Sequence, residues 1–334
     1  VADALILAGA VAKGAWTAGA LRVLTEPQTQ ARLGLDIRRI AAASSGAING
    51  SFLASRLRDG SEAADMPLLE ELWIAQGDFA SVFDVSLRAL AARRGISTSK
   101  KVRALLERHI PPRAGTRPID LAVVVTNIDG EVDVVDRELA TTYERCVHFT
   151  GDVFGESARL EALYDAVVAS AAFPVAFEPS EIQLGARRVR CVDGGTVNDS
   201  PVKYALGGDG DIDRVFVLAP FPKVRHTTRK LHGVALLSHL LDVLIEERLF
   251  RDLREAHEVN RALRALERAL PIGGLRERAL GALGWEHRHV VEVIEIRPPA
   301  ELEGDAFAGF FSRRLREDYV QAGAEAARAA LAPR

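Results

Sequence analysis

Apolar and polar positions along this chain change period repeatedly, and the changes mark out elements. Residues 4–7 (ALIL) form a short unbroken apolar run, as in a strand covered on both faces, and residues 15–24 repeat apolar positions at helical spacing. Residues 40–43 (IAAA) and 47–58 repeat that pair, strand and then helix. A strand–helix alternation places crossover helices on a parallel sheet, so the pattern predicts an α/β fold with a central, mostly parallel sheet flanked by helices.

From residue 66 to 110 the spacing is mostly helical, and Thr98 and Ser99 stand before KKVRALLERHI, where hydroxyls can cap exposed amides. Residues 121–126 and 132–135 read as strands joined through Asp129-Gly130, which predicts a hairpin at a sheet edge. A helix over 164–172 and strands over 189–192 and 214–218 follow. Residues 231–270 form a long helical stretch with Leu237, Leu241, Leu244, Leu249 and Leu253 near helical spacing. Pro271-Ile272-Gly273-Gly274 breaks it before a short helix, a strand over 290–296, a stop at Pro298-Pro299 and a closing helix that ends in QAGAEAARAALA. No internal repeat and no linker rich in Gly, Pro or Ser divides the chain. The expectation is one domain over 1–334, with helical elaborations around 60–110 and 229–285.

Composition narrows the function. Of the 334 residues, 48% are hydrophobic and 27% charged, which argues for an ordered globular chain. A net charge of −3 offers no excess of cations to neutralise phosphates, so no nucleic-acid partner is expected. Cys146 and Cys191 are too few for a disulfide framework or a zinc site, which favours a reducing, cytoplasmic setting. No run of about 18 apolar residues marks a membrane span. Transient contact with a membrane surface stays open, through the apolar stretch 231–253 or the basic segment 223–230 (KVRHTTRK). Core packing and a solvated loop explain the same residues. Oligomeric state is not legible.

The turn Gly9-Ala10-Val11-Ala12-Lys13-Gly14 between the first strand and helix admits three chemistries. A phosphate loop needs Lys and then Ser or Thr after its last glycine, but Ala15 and Trp16 follow. A dinucleotide turn needs glycine where Val11 stands. An oxyanion site uses main-chain amides at the mouth of a helix and tolerates these residues. A turn needed only for helix–sheet packing remains the plain alternative.

The second strand runs into Ala42-Ala43-Ser44-Ser45-Gly46-Ala47, a serine among small residues at a strand-to-helix turn. In a nucleophile elbow the residues two before and two after the serine must be small, and Gly46 places the nucleophile at Ser44 rather than Ser45. Either serine can instead cap the helix. A nucleophile needs a base. The eight histidines (His109, His148, His226, His232, His239, His257, His287 and His289) fall in helical or basic stretches, none in a tight small-residue turn. Asp193-Gly194-Gly195, after the short strand VRCV, is different. A buried aspartate gains basicity by desolvation and can take a serine proton, although Asp-Gly is also a common Asx turn.

These motifs, in this order, resemble the patatin-like phospholipase family. Gly9 to Gly14, with Lys13 at the basic position, matches its oxyanion turn; Ala42 to Gly46 matches its serine elbow; Asp193-Gly194-Gly195 matches its aspartate turn. The stretch Ala169-Ser170-Ala171-Ala172-Phe173-Pro174 resembles the segment that precedes the aspartate. The resemblance implies a patatin-like three-layer architecture and a Ser44–Asp193 dyad. It also implies oxyanion amides from Gly9, Ala10, Val11 and Ala12, supported by Lys13, Gly14, Gly46, Gly194 and Gly195. It implies hydrolysis of lipid or phospholipid acyl esters through an acyl-serine, with neither metal nor cofactor. Ala10, Val11 and Ala42 stand where the family carries glycines. They keep a second reading open: a catalytically weak or inactive relative that binds a lipid, an acyl chain or a protein partner.

Overall fold

The computed structural model describes residues 1–85, 96–135, 138–150, 153–174, 176–199, 201–207, 210–224, 234–270 and 273–333. Its strands are β1 (Asp3–Leu7), β2 (Ile37–Ala43), β3 (Asp120–Val135), β4 (Glu138–Phe149), β5 (Ser180–Leu184), β6 (Arg187–Val192), β7 (Arg214–Leu218) and β8 (Glu292–Ile296). They form one mixed sheet in the order β5-β6-β3-β2-β1-β7-β8, with β4 paired on β3. Strands β1, β2, β7, β8 and the first part of β3 run parallel. Register aligns Leu7 with Ala42 and with Leu218, and Ala43 with Val124. The turns that follow β1 and β2 therefore open at the same, C-terminal end of the sheet, where ligands bind in such folds.

Both faces of the sheet are covered, which explains the unbroken apolar runs in β1 and β2. Leu5 and Leu7 enter one core with Trp16, Leu21, Leu53 and Tyr319. Ala4 and Ile6 face the other way, into a second core with Val215, Val217, Leu249 and Leu253. The helix Gly14–Thr25 returns from β1 to β2, and the helix Ser45–Leu57 follows β2. Helices Glu62–Gln76 and Lys100–His109 lie between β2 and β3 in sequence, within the helical region expected there.

The structure departs from the sequence reading at three places. Residues 121–126 and 132–135 are not two paired strands but parts of β3, whose register shifts between Thr126 and Glu131. Asp129-Gly130 makes that irregularity, with Gly130 at φ 70° and the Asp129 amide bonded to Asn127 Oδ1, and the true partner strand is β4. β5, which pairs with β6 across Gly185, was not marked by the apolar pattern. Ser99 takes the N-cap place of its helix without a side-chain capping bond, while the hydroxyls of Ser97 and Thr98 go to Asp84. Of the leucine stripe, Leu249 and Leu253 pack into the second core, and the side chains of Leu237, Leu241 and Leu244 lie outside the described residues. Lys223 pairs with Glu295 at 2.9 Å, and residues 225–230 lie outside the described ones. Among the described residues no helix is long and apolar enough to cross a membrane.

Candidate active site

Ser44 ends β2 and opens the helix Ser45–Leu57 with φ 53° and ψ −130°, a backbone conformation that costs a non-glycine residue about 1–3 kcal/mol. The sharp turn lays the helix tightly on β1. A Cβ on Gly46 would stand 2.1 Å from the Leu7 carbonyl oxygen, so only glycine fits there. Ala42, two residues before the strained Ser44, buries its methyl in the core. Ser44 makes no capping bond with its side chain. Its Oγ instead donates to Asp193 Oδ2 at 2.5 Å.

Asp193 follows β6 and reaches Ser44 because β6 pairs antiparallel with β3 only at Thr126 and Asn127, just past the end of β2. The Asp193 loop is fixed on several sides. The Gly195 amide donates to Asp193 Oδ1 at 2.7 Å, Thr126 Oγ1 to the Asp193 carbonyl at 2.8 Å, and the Asp193 amide to Ala172 at 3.0 Å. A Cβ on Gly194 would lie 2.1 Å from the Val124 carbonyl oxygen, so this loop too closes on backbone. Asp193 is 3% exposed. Burial pushes its carboxyl up to about 7, against the opposing pull of the Ser44 and Gly195 hydrogen bonds.

Ser170, from the stretch before the aspartate, closes the arrangement. Its hydroxyl accepts the Ser44 amide at 2.9 Å and donates to the Val124 carbonyl at 2.6 Å. Among the described residues no histidine hydrogen-bonds to Ser44 or Asp193; His226 and His232 and the side chain of His239 lie outside them.

The turn after β1 stands over Ser44, and most of its amides are already engaged. Gly9 donates to Asp199 Oδ1 at 2.9 Å, Ala10 to Ser45 Oγ at 3.0 Å and Ala12 to the Ala306 carbonyl at 3.1 Å. Among the described residues nothing accepts the Val11 amide, and Val11 sits at φ 52°, an uncommon place for a β-branched residue. Lys13 is buried, and the Gly14 carbonyl receives Asn49 Nδ2 at 2.9 Å. The amide of Ser45, first in its helix, likewise has no acceptor among the described residues.

Val11, Ser44 and Ser45 line an apolar cavity with about 910 Å³ of empty space, open solvent included. Phe173, Phe177 and Phe310 line the same cavity. Ser170, Ser45 and Asp199 were not singled out from sequence. Ser170 and Ser45 stood inside quoted motifs and Asp199 lies just past one, but their partners lie 126, 35 and 190 residues away.

A serine on a strained strand-to-helix turn, bonded to a buried aspartate at the C-terminal end of a mostly parallel α/β sheet, defines the structural class. Within it, a model of the family described as patatin-like phospholipase matches residues 5–206, and the chain belongs to that family. VipD from Legionella pneumophila is a solved structure similar to this chain, at 14% identity and a TM-score of 0.41. The match covers 99% of this chain and 66% of VipD, so the chain spans less than two thirds of that protein's length. No curated protein matches the chain.

Proposed function

We propose that this chain hydrolyses lipid or phospholipid acyl esters through a Ser44–Asp193 dyad. The observation that carries the reading is the 2.5 Å hydrogen bond from Ser44 Oγ to a carboxyl that burial has made far more basic than an ordinary aspartate. As Ser44 Oγ attacks the ester carbonyl carbon, Asp193 Oδ2 takes its proton and the carbonyl oxygen becomes an oxyanion. The Val11 and Ser45 amides are the donors left for that charge, since Gly9, Ala10 and Ala12 are committed elsewhere. This narrows the four-residue turn to one amide plus that of the residue after the nucleophile. Collapse of the tetrahedral intermediate expels the alcohol, which takes the proton from Asp193, and leaves an acyl-Ser44. Asp193 then takes a proton from water as the water oxygen attacks the acyl carbon, and returns that proton to Ser44 Oγ as the acyl–serine bond breaks and the acid leaves. The scheme uses protein groups alone.

One observation favours the second reading, a relative that binds acyl chains without turning them over: Val11 puts a branched side chain at positive φ beside the nucleophile. Ester hydrolysis separates the two. Wild-type protein should release acid from soluble p-nitrophenyl esters, and Ser44→Ala should lose at least about a thousandfold in kcat. Equal rates from the two proteins would refute the assignment.

A further inference from the structure

The cavity beside Ser44 has a built end. Ser44, Ile48 and Phe52 all line it, at intervals of four residues. Residues so spaced share one helix face, so the cavity runs along the helix Ser45–Leu57 from its first turn. At 1.5 Å of rise per residue, Ser44 to Phe52 covers about 12 Å.

The next residue on that face is Arg56, and it is no continuation of an apolar groove. Its guanidinium lies over the Phe52 ring, 4.3 Å from the centroid, donates to the His109 carbonyl at 2.9 Å and pairs with Asp65 at 2.7 Å. Arg56 is buried at 3% exposure, so the cation is held inside the protein by these partners and cannot swing away without losing them. His109, whose carbonyl Arg56 reaches, and Ile110 also line the cavity. An apolar chain that enters at Ser44 thus meets a phenyl ring backed by a buried, paired charge.

We infer that Phe52, held by Arg56, sets the acyl-chain length, and that the site takes medium-chain acyl esters. This rests on the acyl-hydrolase reading above. A zigzag chain of roughly 1.5 Å bonds advances about 1.25 Å per carbon, so about 12 Å accepts roughly eight to ten carbons. A longer chain must leave methylenes in water or displace Phe52. Phe52 is then a specificity-determining residue. Ile48, one turn nearer the nucleophile, is the position from which the usable length can be shortened.

The test is kcat/KM for p-nitrophenyl esters from two to sixteen carbons, below their aggregation concentrations, with wild type, Phe52→Ala and Ile48→Phe. Fluorophosphonate labelling of wild-type Ser44 is measured in parallel. The expected wild-type profile peaks at about eight to ten carbons and falls about tenfold or more by sixteen. Phe52→Ala moves the peak to longer chains, and Ile48→Phe moves it to shorter ones. A wild-type profile that is flat or rises to sixteen carbons overturns the inference even if Phe52→Ala does not fold, as does a peak unmoved in both variants. Labelled Ser44 with such a profile sinks the length assignment alone. Unlabelled Ser44 with no ester cleaved sinks the hydrolase reading and the inference with it.

Discussion

The amide of Ser44 donates to the Ser170 hydroxyl at 2.9 Å, and that hydroxyl spends its own proton on the Val124 carbonyl 2.6 Å away. The direction matters. Because the Ser170 proton is committed to β3, a lone pair is left for the amide of a residue held at φ 53°. Ser170→Ala strands a buried donor and a buried acceptor, which should cost about 1–3 kcal/mol in denaturant unfolding. It should also lower kcat by roughly tenfold or more with little change in KM, since it loosens the nucleophile rather than the acyl pocket. Ser170→Thr, which keeps the hydroxyl, should recover much of the rate. An Ala variant as fast as wild type would remove Ser170 from the account.

On the proposed mechanism the raised Asp193 carboxyl sets the pH dependence of hydrolysis. The base works only when ionised, so kcat/KM should climb as pH rises through about 7 and then level off. A profile already flat from pH 5 would mean that Asp193 is ionised far lower and that its burial does not tune it.

Stability should move the opposite way with pH. An unfolded aspartate titrates near 3.9, so a folded-state value of about 7 means that the folded protein holds this proton more tightly than the unfolded chain. The contribution is fully present below about pH 4 and is lost as pH rises toward about 7. Asp193→Asn removes the ionisable group while keeping its shape. The variant should be inactive yet gain in Tm relative to wild type at pH 8, with a smaller gain at pH 5. A gain that does not depend on pH would contradict the linkage.

Val11 is strained where glycine would not be. Val11→Gly should relieve about 1 kcal/mol of backbone cost, offset in part by lost apolar contact in the cavity wall. With the branched side chain gone, kcat/KM for esters bulky near the carbonyl should rise several-fold. A fall in rate on those esters would show that the Val11 side chain shapes the site productively.

The parts of the fold that sequence made legible are those with local signatures. The apolar runs of β1 and β2, the small residues around Ser44 and the glycines after Asp193 each report a constraint met within a few residues. β4 escaped because polar and apolar positions mix along the half-exposed ribbon it forms with β3, where Val132, Val134 and Leu139 are exposed and Glu131 and Asp133 of β3 pair with Arg145 of β4. Asp129-Gly130 carried a real turn signal, but the turn is a kink inside β3, which the dipeptide alone does not distinguish from a hairpin. The oxyanion turn was read as four free amides. Only the folded chain brings Asp199, Ser45 and Ala306 to three of them. Contacts of that range depend on sheet register, which no local pattern encodes.

The central claim is that Ser44 is a nucleophile activated by Asp193, and covalent capture tests it most directly. Wild-type protein is treated with a fluorophosphonate at pH 8, digested, and the adduct located by mass. The account predicts a single adduct on Ser44, absent from Ser44→Ala and formed at least about a hundredfold more slowly in Asp193→Asn. An adduct on another residue, or a Ser44 that stays unmodified in folded wild-type protein, would contradict it.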